Sequence, residues 1–151
     1  MVKIGFWKRA VAIIIDFVFL DIATKISLLP FEMNLDFEDI PAADLFIRMD
    51  TLEAKVFFLY FVLYICASLI FSLLYFTYFH GATGQTIGKG FLKIKTVQTS
   101  GEAINFKIAF VRWGGYLVSG LAMYAGFLWV LFDKNKQGWH DKIAGTYVVK
   151  V

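Results

Sequence analysis

The chain has 151 residues, of which 59% are hydrophobic, 19% aromatic and only 18% charged, with a formal net charge of +3. A soluble domain carries about 45–50% apolar and about 25% charged residues, so this composition argues against a water-soluble globule. Two Pro and one Cys exclude the disordered and disulfide-scaffold classes, which leaves an integral membrane protein.

Residues 1–9 carry Lys3, Lys8 and Arg9 and lead into an apolar stretch at 10–29. A secretory leader begins in the same way. Here, however, Asp16 and Asp21 interrupt the apolar part and no small-x-small cleavage site follows, so the stretch reads as a retained helix. A helix entering the bilayer near Phe6 places Asp16 about 15 Å deep, at the middle of a hydrocarbon core about 30 Å thick. A carboxylate there costs about 2.5–3.5 kcal/mol on insertion scales, so it must be protonated, paired or turned toward water. Asp16 is therefore a candidate transport or proton-handling group, with a buried structural hydrogen-bond partner as the competing reading. Arg9 shares its helix face but lies about 10 Å away along the axis, too far for an ion pair. Its expected partner is a lipid phosphate or an acid from another segment, either Asp133 or Asp141. Asp21 and Lys25 stand at i,i+4 and are expected to bridge each other, with Lys25 reaching to the headgroups.

The connection 30–55 holds seven acidic and two basic residues. Residues 56–79 follow, 24 positions without a charge and long enough to span. Cys66, inside this run, reads as a packing residue, and as the single cysteine it excludes an internal disulfide. Residues 80–112 are basic, with five Lys or Arg against one acid. Lys and Arg favour the cytoplasmic side, so the amino terminus and the loop 80–106 are expected inside and the acidic loop 30–55 outside. The run HGATGQTIGKG (80–90) invites comparison with a phosphate loop, but Thr83 stands where Gly is needed and Gly90 follows Lys89 in place of Ser or Thr. Lys89, Lys93, Lys95 and Lys107 are instead candidates for holding anionic lipid headgroups. Residues 91–97 (FLKIKTV) alternate as a strand does, and Thr99-Ser100-Gly101 signals a turn before 103–106.

A third segment, about 107–132, contains 20 residues without charge from Trp113 on. Arg112 at its edge is either a snorkelling anchor or the ion-pair partner of Asp16 or Asp133. Two topologies compete for this segment. Trp113 and Trp129, about 24 Å apart on a helix, suit two interfacial anchors of one straight span. Alternatively the segment breaks near Gly114-Gly115 or Gly120 and returns the tail 133–151 to the cytoplasm. The tail's Lys134, Lys136, Lys142 and Lys150 favour the second, as does its β-like run GTYVVKV (145–151), because pairing with 91–97 requires both on one side. Gly115, Ser119, Ala122 and Gly126 are spaced for close helix approach.

His80, His140 and Cys66 show no ligand spacing, and no Ser-His-Asp set is recognisable, so no metal, cofactor or enzymatic activity is expected. A net +3 spread along a membrane surface does not suggest nucleic-acid binding.

Three runs carry a family resemblance: FWKRAVAIIIDFVFLD (6–21), GQTIGKGFLKIKTV (84–97) and FLWVLFDKNKQGWHDKIAGTYVV (127–149). Together they resemble the RDD family of small membrane proteins, over nearly all of the chain except 30–55. By that resemblance Arg9 and Asp16 are signature residues, and the second signature Asp is Asp141, with Asp133 as the alternative. The second acid of the first helix, Asp21, departs from the pattern. The resemblance implies a bacterial inner-membrane location and a transport role, with cation/proton antiport suggested for some members.

The expected fold is an all-α membrane protein, one domain over 1–151 with a bundle of about three transmembrane helices at 6–29, 56–79 and 107–132 and a small cytoplasmic β-element. The expected function is movement of a small cation or proton by a homo-oligomer, since three short helices give few walls for a pathway. Asp16 would titrate, Arg9 would tune it, and Asp141 or Asp133 would be the counter-charge. The alternatives are a non-catalytic adaptor or assembly factor for a larger membrane-protein partner, and a protein that reads anionic headgroups.

Overall fold

A computed structural model of the chain describes residues 2–32 and 51–151; the greater part of the acidic connection lies outside them. The fold is mostly helical. Helix α1 runs Phe6–Glu32 and α2 runs Leu52–Thr83. A short helix α3, Ile87–Phe91, leads into strand β1, Ile94–Gln98. Helix α4, Phe106–Leu121, is followed by α5, Ala125–Leu128, and a 3-10 turn at Trp129–Leu131. Helix α6, Trp139–Ala144, and strand β2, Thr146–Lys150, close the chain.

Among the described residues, Ala54–Thr83 within α2 is the one helix long and apolar enough to cross a membrane, and counting α4 with the following Ala125–Leu131 as one broken span adds a second. Helix α1 has the length, but Asp16, Asp21 and Lys25 set it apart.

The straight span anchored by Trp113 and Trp129 does not form, because the chain bends by 110° between Phe106–Leu121 and Ala125–Leu131. Nor does the break fall at Gly114-Gly115 or Gly120, all of which remain inside α4. It falls at Met123 and Tyr124, whose φ values of 53° and 62° lie in the left-handed region that non-glycine residues rarely occupy. The return leg then presses closely on α4: a Cβ added to Gly126 would lie 2.9 Å from the Ser119 Cα. The small residues read as a helix-approach motif thus bring parts of this chain together.

The chain divides into two compact units, Met1–Val18 with Ser72–Val151, and Phe19–Phe71. In the first, β1 and β2 pair antiparallel with Ile94 opposite Lys150 and Gln98 opposite Thr146. Residues on both sides extend this ladder. Lys3 bridges Val149, and the turn at Thr99–Gly101 brings Ala103 opposite Val97. The Ile4 N–H donates to the Val148 carbonyl at 2.9 Å, and Ile4, Ala12, Ile94 and Val148 form a small buried apolar cluster.

In the second unit, Lys25 Nζ lies 2.8 Å from Asp21 Oδ2, and the Tyr64 hydroxyl donates to Asp21 Oδ1 at 2.5 Å. Asp21 is thus shared between an ion pair and a phenol. Cys66 is exposed, so it is not the packing residue its apolar setting suggests. Large apolar side chains face outward along both long helices, with Trp7, Ile14 and Ile22 on α1 and Phe58, Leu59 and Ile70 on α2 each more than half exposed. Water does not tolerate so much contiguous apolar surface; hydrocarbon does.

Candidate functional site

The first unit buries an uncommon number of charges: Arg9, Asp16, Lys89, Arg112 and Asp141 are all closed against solvent. Buried charges survive only when paired or well hydrogen-bonded, and each of these has a local structural reason for its position.

Asp141 is the centre of one cluster. It lies in the first turn of α6, where its Oδ2 accepts the Gly138 N–H at 2.9 Å. The same oxygen receives Arg9 Nη1 at 2.5 Å, and Oδ1 faces Arg112 Nη1 at 2.5 Å. Arg9 is further tied by its Nε to the Ile4 carbonyl at 3.0 Å. Arg112 donates to the Tyr116 hydroxyl at 3.2 Å and to the Thr146 hydroxyl. Burial alone would raise the Asp141 carboxyl, but the charges of Arg112 and Arg9 and the Gly138 N–H hold it well below the usual carboxylate range. The carboxylate is ionised, and two guanidiniums share it.

Asp16 is the centre of a second cluster. Its Oδ1 accepts from the Tyr75 hydroxyl at 2.7 Å and the Gly88 N–H at 2.8 Å, and its Oδ2 accepts from the Thr86 hydroxyl at 2.6 Å. Tyr75 donates from α2, and Thr86 and Gly88 from the loop and short helix after it, which sit against the middle of α1. Gly88 makes this approach possible, since a Cβ there would run into the Ala12 carbonyl and lie 3.0 Å from Asp16 Oδ1. Thr86 doubles as the N-cap of α3, accepting from Lys89 N at 3.3 Å.

Lys89 does not reach lipid headgroups. Its side chain turns inward, where Nζ lies 2.6 Å from His80 Nε2 and donates to the Thr96 hydroxyl at 2.9 Å. His80 Nδ1 lies 2.9 Å from the Phe76 carbonyl, which can only accept. The ring proton therefore sits on Nδ1, and Nε2 accepts from Lys89. Burial, and then the charge of Arg112, push the Lys89 amine well below its ordinary value, with Asp141 and Asp16 opposing. Lys93, Lys95 and Lys107 are exposed, as headgroup contact requires.

Asp133 partners neither Arg9 nor Arg112. It pairs with Lys142 at 2.6 Å and accepts the N–H groups of Asn135 and Gln137 at 3.0 and 3.1 Å. The Lys142 hydrogen bond is the main cause that lowers its carboxyl. Arg112 accordingly bridges to Asp141, not to Asp16 or Asp133. Asp21 belongs to the other unit.

The two clusters border one cavity of about 220 Å³. Arg9, Asp16, Lys89, Arg112 and His140 contribute its polar lining, and the rest is aromatic and aliphatic. Tyr116 packs on His140 at 4.7 Å and on Phe127 at 5.6 Å between ring centroids. Burial pushes His140 down to about 3, helped by Arg112, Arg9 and Lys89 and opposed by Asp141, so the ring is neutral. Among the described residues no group of His, Cys, Asp or Glu could hold a metal ion.

Sequence reasoning picked out Arg9, Asp16, Arg112 and Asp141; the structure places the first three on the wall of one cavity and Asp141 behind Arg9 and Arg112 as their shared partner. It missed Tyr75, Thr86, Thr146, His80 and Tyr116. Thr86, three residues before Lys89, had an N-cap signal available; the others lack any local signature.

Known proteins resemble this chain over most or part of its length. A protein of Bacillus subtilis strain 168, "Uncharacterized protein YxaI", is 30% identical over 147 residues, which covers 96% of this chain and 95% of that one. The "Proline-rich antigen homolog" of Mycobacterium tuberculosis H37Rv is 36% identical over 75 residues, 49% of this chain but 31% of the longer relative. The "Proline-rich antigen" of Mycobacterium leprae is 35% identical over 75 residues, 49% and 30% of the two chains. No solved structure matches the chain. The model of the RDD family matches residues 4–145, which takes in both charge clusters, and the chain therefore belongs to the RDD family.

Proposed function

We propose that this RDD-family chain is a multi-pass protein of the bacterial inner membrane, amino terminus inside, that exchanges protons as part of transport and works as a homo-oligomer. Family membership and the apolar helix Ala54–Thr83 suggest a membrane protein. The charge asymmetry of the connections supports the orientation.

The observation that carries the proton reading is the set of partners around Asp16. Two of its three donors, Tyr75 and Thr86, are hydroxyls that can reverse. The third, the Gly88 N–H, cannot, and it stays on Oδ1. A proton can therefore be accepted at Oδ2 while Thr86 turns to accept, with no heavy atom displaced. A metal cation is a poorer candidate for the exchanged species, because the guanidiniums of Arg9 and Arg112 line the same cavity.

Asp16→Asn tests this reading. The amide mimics the protonated acid and keeps the Gly88 contact, so the fold is expected to persist while proton flux in proteoliposomes is lost. Unchanged flux from a correctly folded Asp16→Asn would sink the proposal. A stable heteromeric partner in gently solubilised membranes, with no flux from the purified chain, would favour an adaptor role instead.

A further inference from the structure

The cavity beside the two clusters has an imbalance that proton exchange at Asp16 does not use. Asp141 is one carboxylate held between two guanidiniums. Asp16, the acid that lines the cavity, is already met by three donors of its own. The Arg9–Arg112–Asp141 group therefore keeps one positive charge in excess. The excess has an address, since Arg9 Nη2 is buried without a hydrogen-bond partner among the described residues while Nη1 and Nε are both engaged. His140, which also lines the cavity, has Nδ1 buried and without a hydrogen-bond partner among the described residues. Buried guanidinium N–H groups left unpaired are costly, and native structures seldom keep them.

The remaining wall is apolar. Phe6, Ile13, Phe17, Phe127 and Val130 are among its lining residues. A site with one unpaired guanidinium nitrogen beside an aromatic and aliphatic wall selects for charge at one end of a ligand and for hydrocarbon at the other. The cavity, about 220 Å³, falls below the roughly 300–1,000 Å³ of pockets for drug-sized ligands, so the occupant is small.

We propose that this cavity binds a small monocarboxylate with an apolar body, its carboxylate seated on Arg9 and its hydrocarbon among Phe6, Ile13, Phe17 and Phe127. A guanidinium N–H to a carboxylate is a strong charge-assisted hydrogen bond, and Arg9 Nη2 is the donor left to make it. The proposal does not depend on whether Asp16 exchanges a proton.

The test is equilibrium binding to the full chain in a nonionic detergent, with octanoate as probe and octanol, octylammonium and butyrate as controls. Octanoate is expected to bind saturably, one per chain, at least about tenfold more tightly than each control. Ala10→Phe, which fills the cavity from its lining without touching the ion pairs, is expected to abolish octanoate binding at unchanged Asp141–Arg112 pairing. Arg9→Lys, which keeps a cation for Asp141 but removes the second guanidinium nitrogen, is expected to weaken octanoate by about tenfold and to leave octanol unaffected. If Arg9→Lys does not fold, Ala10→Phe decides. Equal affinity for octanol overturns the anion selectivity, and equal affinity for butyrate overturns the role of the apolar wall. Octanoate binding insensitive to Ala10→Phe overturns the location. No flux is measured, so failure here is distinct from failure of the proton-exchange reading.

Discussion

Arg9 and Asp141, 132 positions apart in sequence, meet in an ion pair of 2.5 Å that solvent does not reach. The contact joins the first turns of the chain's first and last helices. Arg112 completes it from α4 at 2.5 Å on the other carboxylate oxygen, so one acid ties three helices. Removing that acid would leave two buried guanidiniums without a counter-charge. Asp141→Asn is expected to destabilise the fold by about 3–5 kcal/mol, the usual cost of breaking a buried pair from one side. Denaturant unfolding in detergent measures it, and a loss below about 1 kcal/mol, the scale of an exposed pair, would contradict the burial of this cluster.

How far this arrangement was legible in the sequence depends on the residue. Arg9 and Asp16 stood out because charge is conspicuous in an apolar helix, and the strand pairing was readable from the alternation of 91–97 and the β-branched, aromatic run 145–151. The choice between Asp141 and Asp133 was not readable, since both are acids in a polar tail. It is settled by Gly115, where a Cβ would lie 2.7 Å from His140 Cα: the close approach of α6 to α4 presents Asp141 to Arg112 and leaves Asp133 to Lys142. The position of the helix break was hidden for another reason. Glycines mark where a break is easy, yet the chain turns at Met123 and Tyr124, where tertiary contact between Gly126 and Ser119 outweighs local preference. Lys89 reads as a solvated cation in any local window, and its inward turn requires His80 and Thr96 from two other elements.

The neutral His140 makes stability depend on pH. Its folded value is lowered to about 3 from 6.5 by burial and by the nearby Arg112, Arg9 and Lys89, against Asp141. Above pH 6.5 the ring is neutral in both states and contributes no slope. As pH falls from 6.5 toward 3, the unfolded chain takes up a proton that the folded one refuses, and stability declines by up to about 1.4 kcal/mol per pH unit. The lowered Asp141 carboxyl keeps its contribution from pH 6.5 down to about its ordinary value of 3.8 and loses it below that. His140→Gln is expected to flatten the profile between pH 6.5 and 4 relative to wild type. Parallel profiles for the two proteins would refute the assignment.

Gly88 is predicted to tolerate no side chain. Its Cβ position is occupied by the Ala12 carbonyl, and its N–H is a donor to Asp16. Gly88→Ala must push α3 away from α1, which lengthens that bond and loosens Thr86 with it. The expected loss is about 1–3 kcal/mol from overpacking, accompanied by weakened proton exchange. Gly90→Ala is the control, because nothing stands within 4 Å of a Cβ there. Equal stability of the two variants would count against close packing at Asp16.

Lys89 and the exposed lysines should separate in a lipid-binding measurement. Lys89→Met leaves His80 Nε2 and the Thr96 hydroxyl without their partner, which predicts a loss of about 1–3 kcal/mol and no change in bound anionic lipid. Neutralising Lys93, Lys95 and Lys107 together to Gln predicts the converse: unchanged stability and less phosphatidylglycerol retained, read by native mass spectrometry. If Lys89→Met were instead the variant that released lipid, the inward placement of its amine would be wrong.

The strand pairing makes a prediction about sidedness that needs no assumption about which side is which. Lys3 bridges Val149, and Lys95 stands opposite Val149 in the β1–β2 ladder. Hydrogen-bonded backbone cannot be divided by a hydrocarbon core, so the amino terminus, the loop after α2 and the tail must share one face of the membrane. Single cysteines at Val2, Lys95 and Lys134 in a Cys66→Ala background are therefore expected to react with an impermeant maleimide from the same side and to be protected from the other. In the orientation proposed from the excess of Lys and Arg in residues 1–9 and in the loop 80–106, that side is the cytoplasm, and intact cells should then label none of the three and inverted vesicles all three. Labelling at Lys134 alone from the periplasm would require the β1–β2 pairing to be absent in the membrane. It would also separate Asp141 from Arg9 and dismantle the ion cluster on which the stability predictions rest.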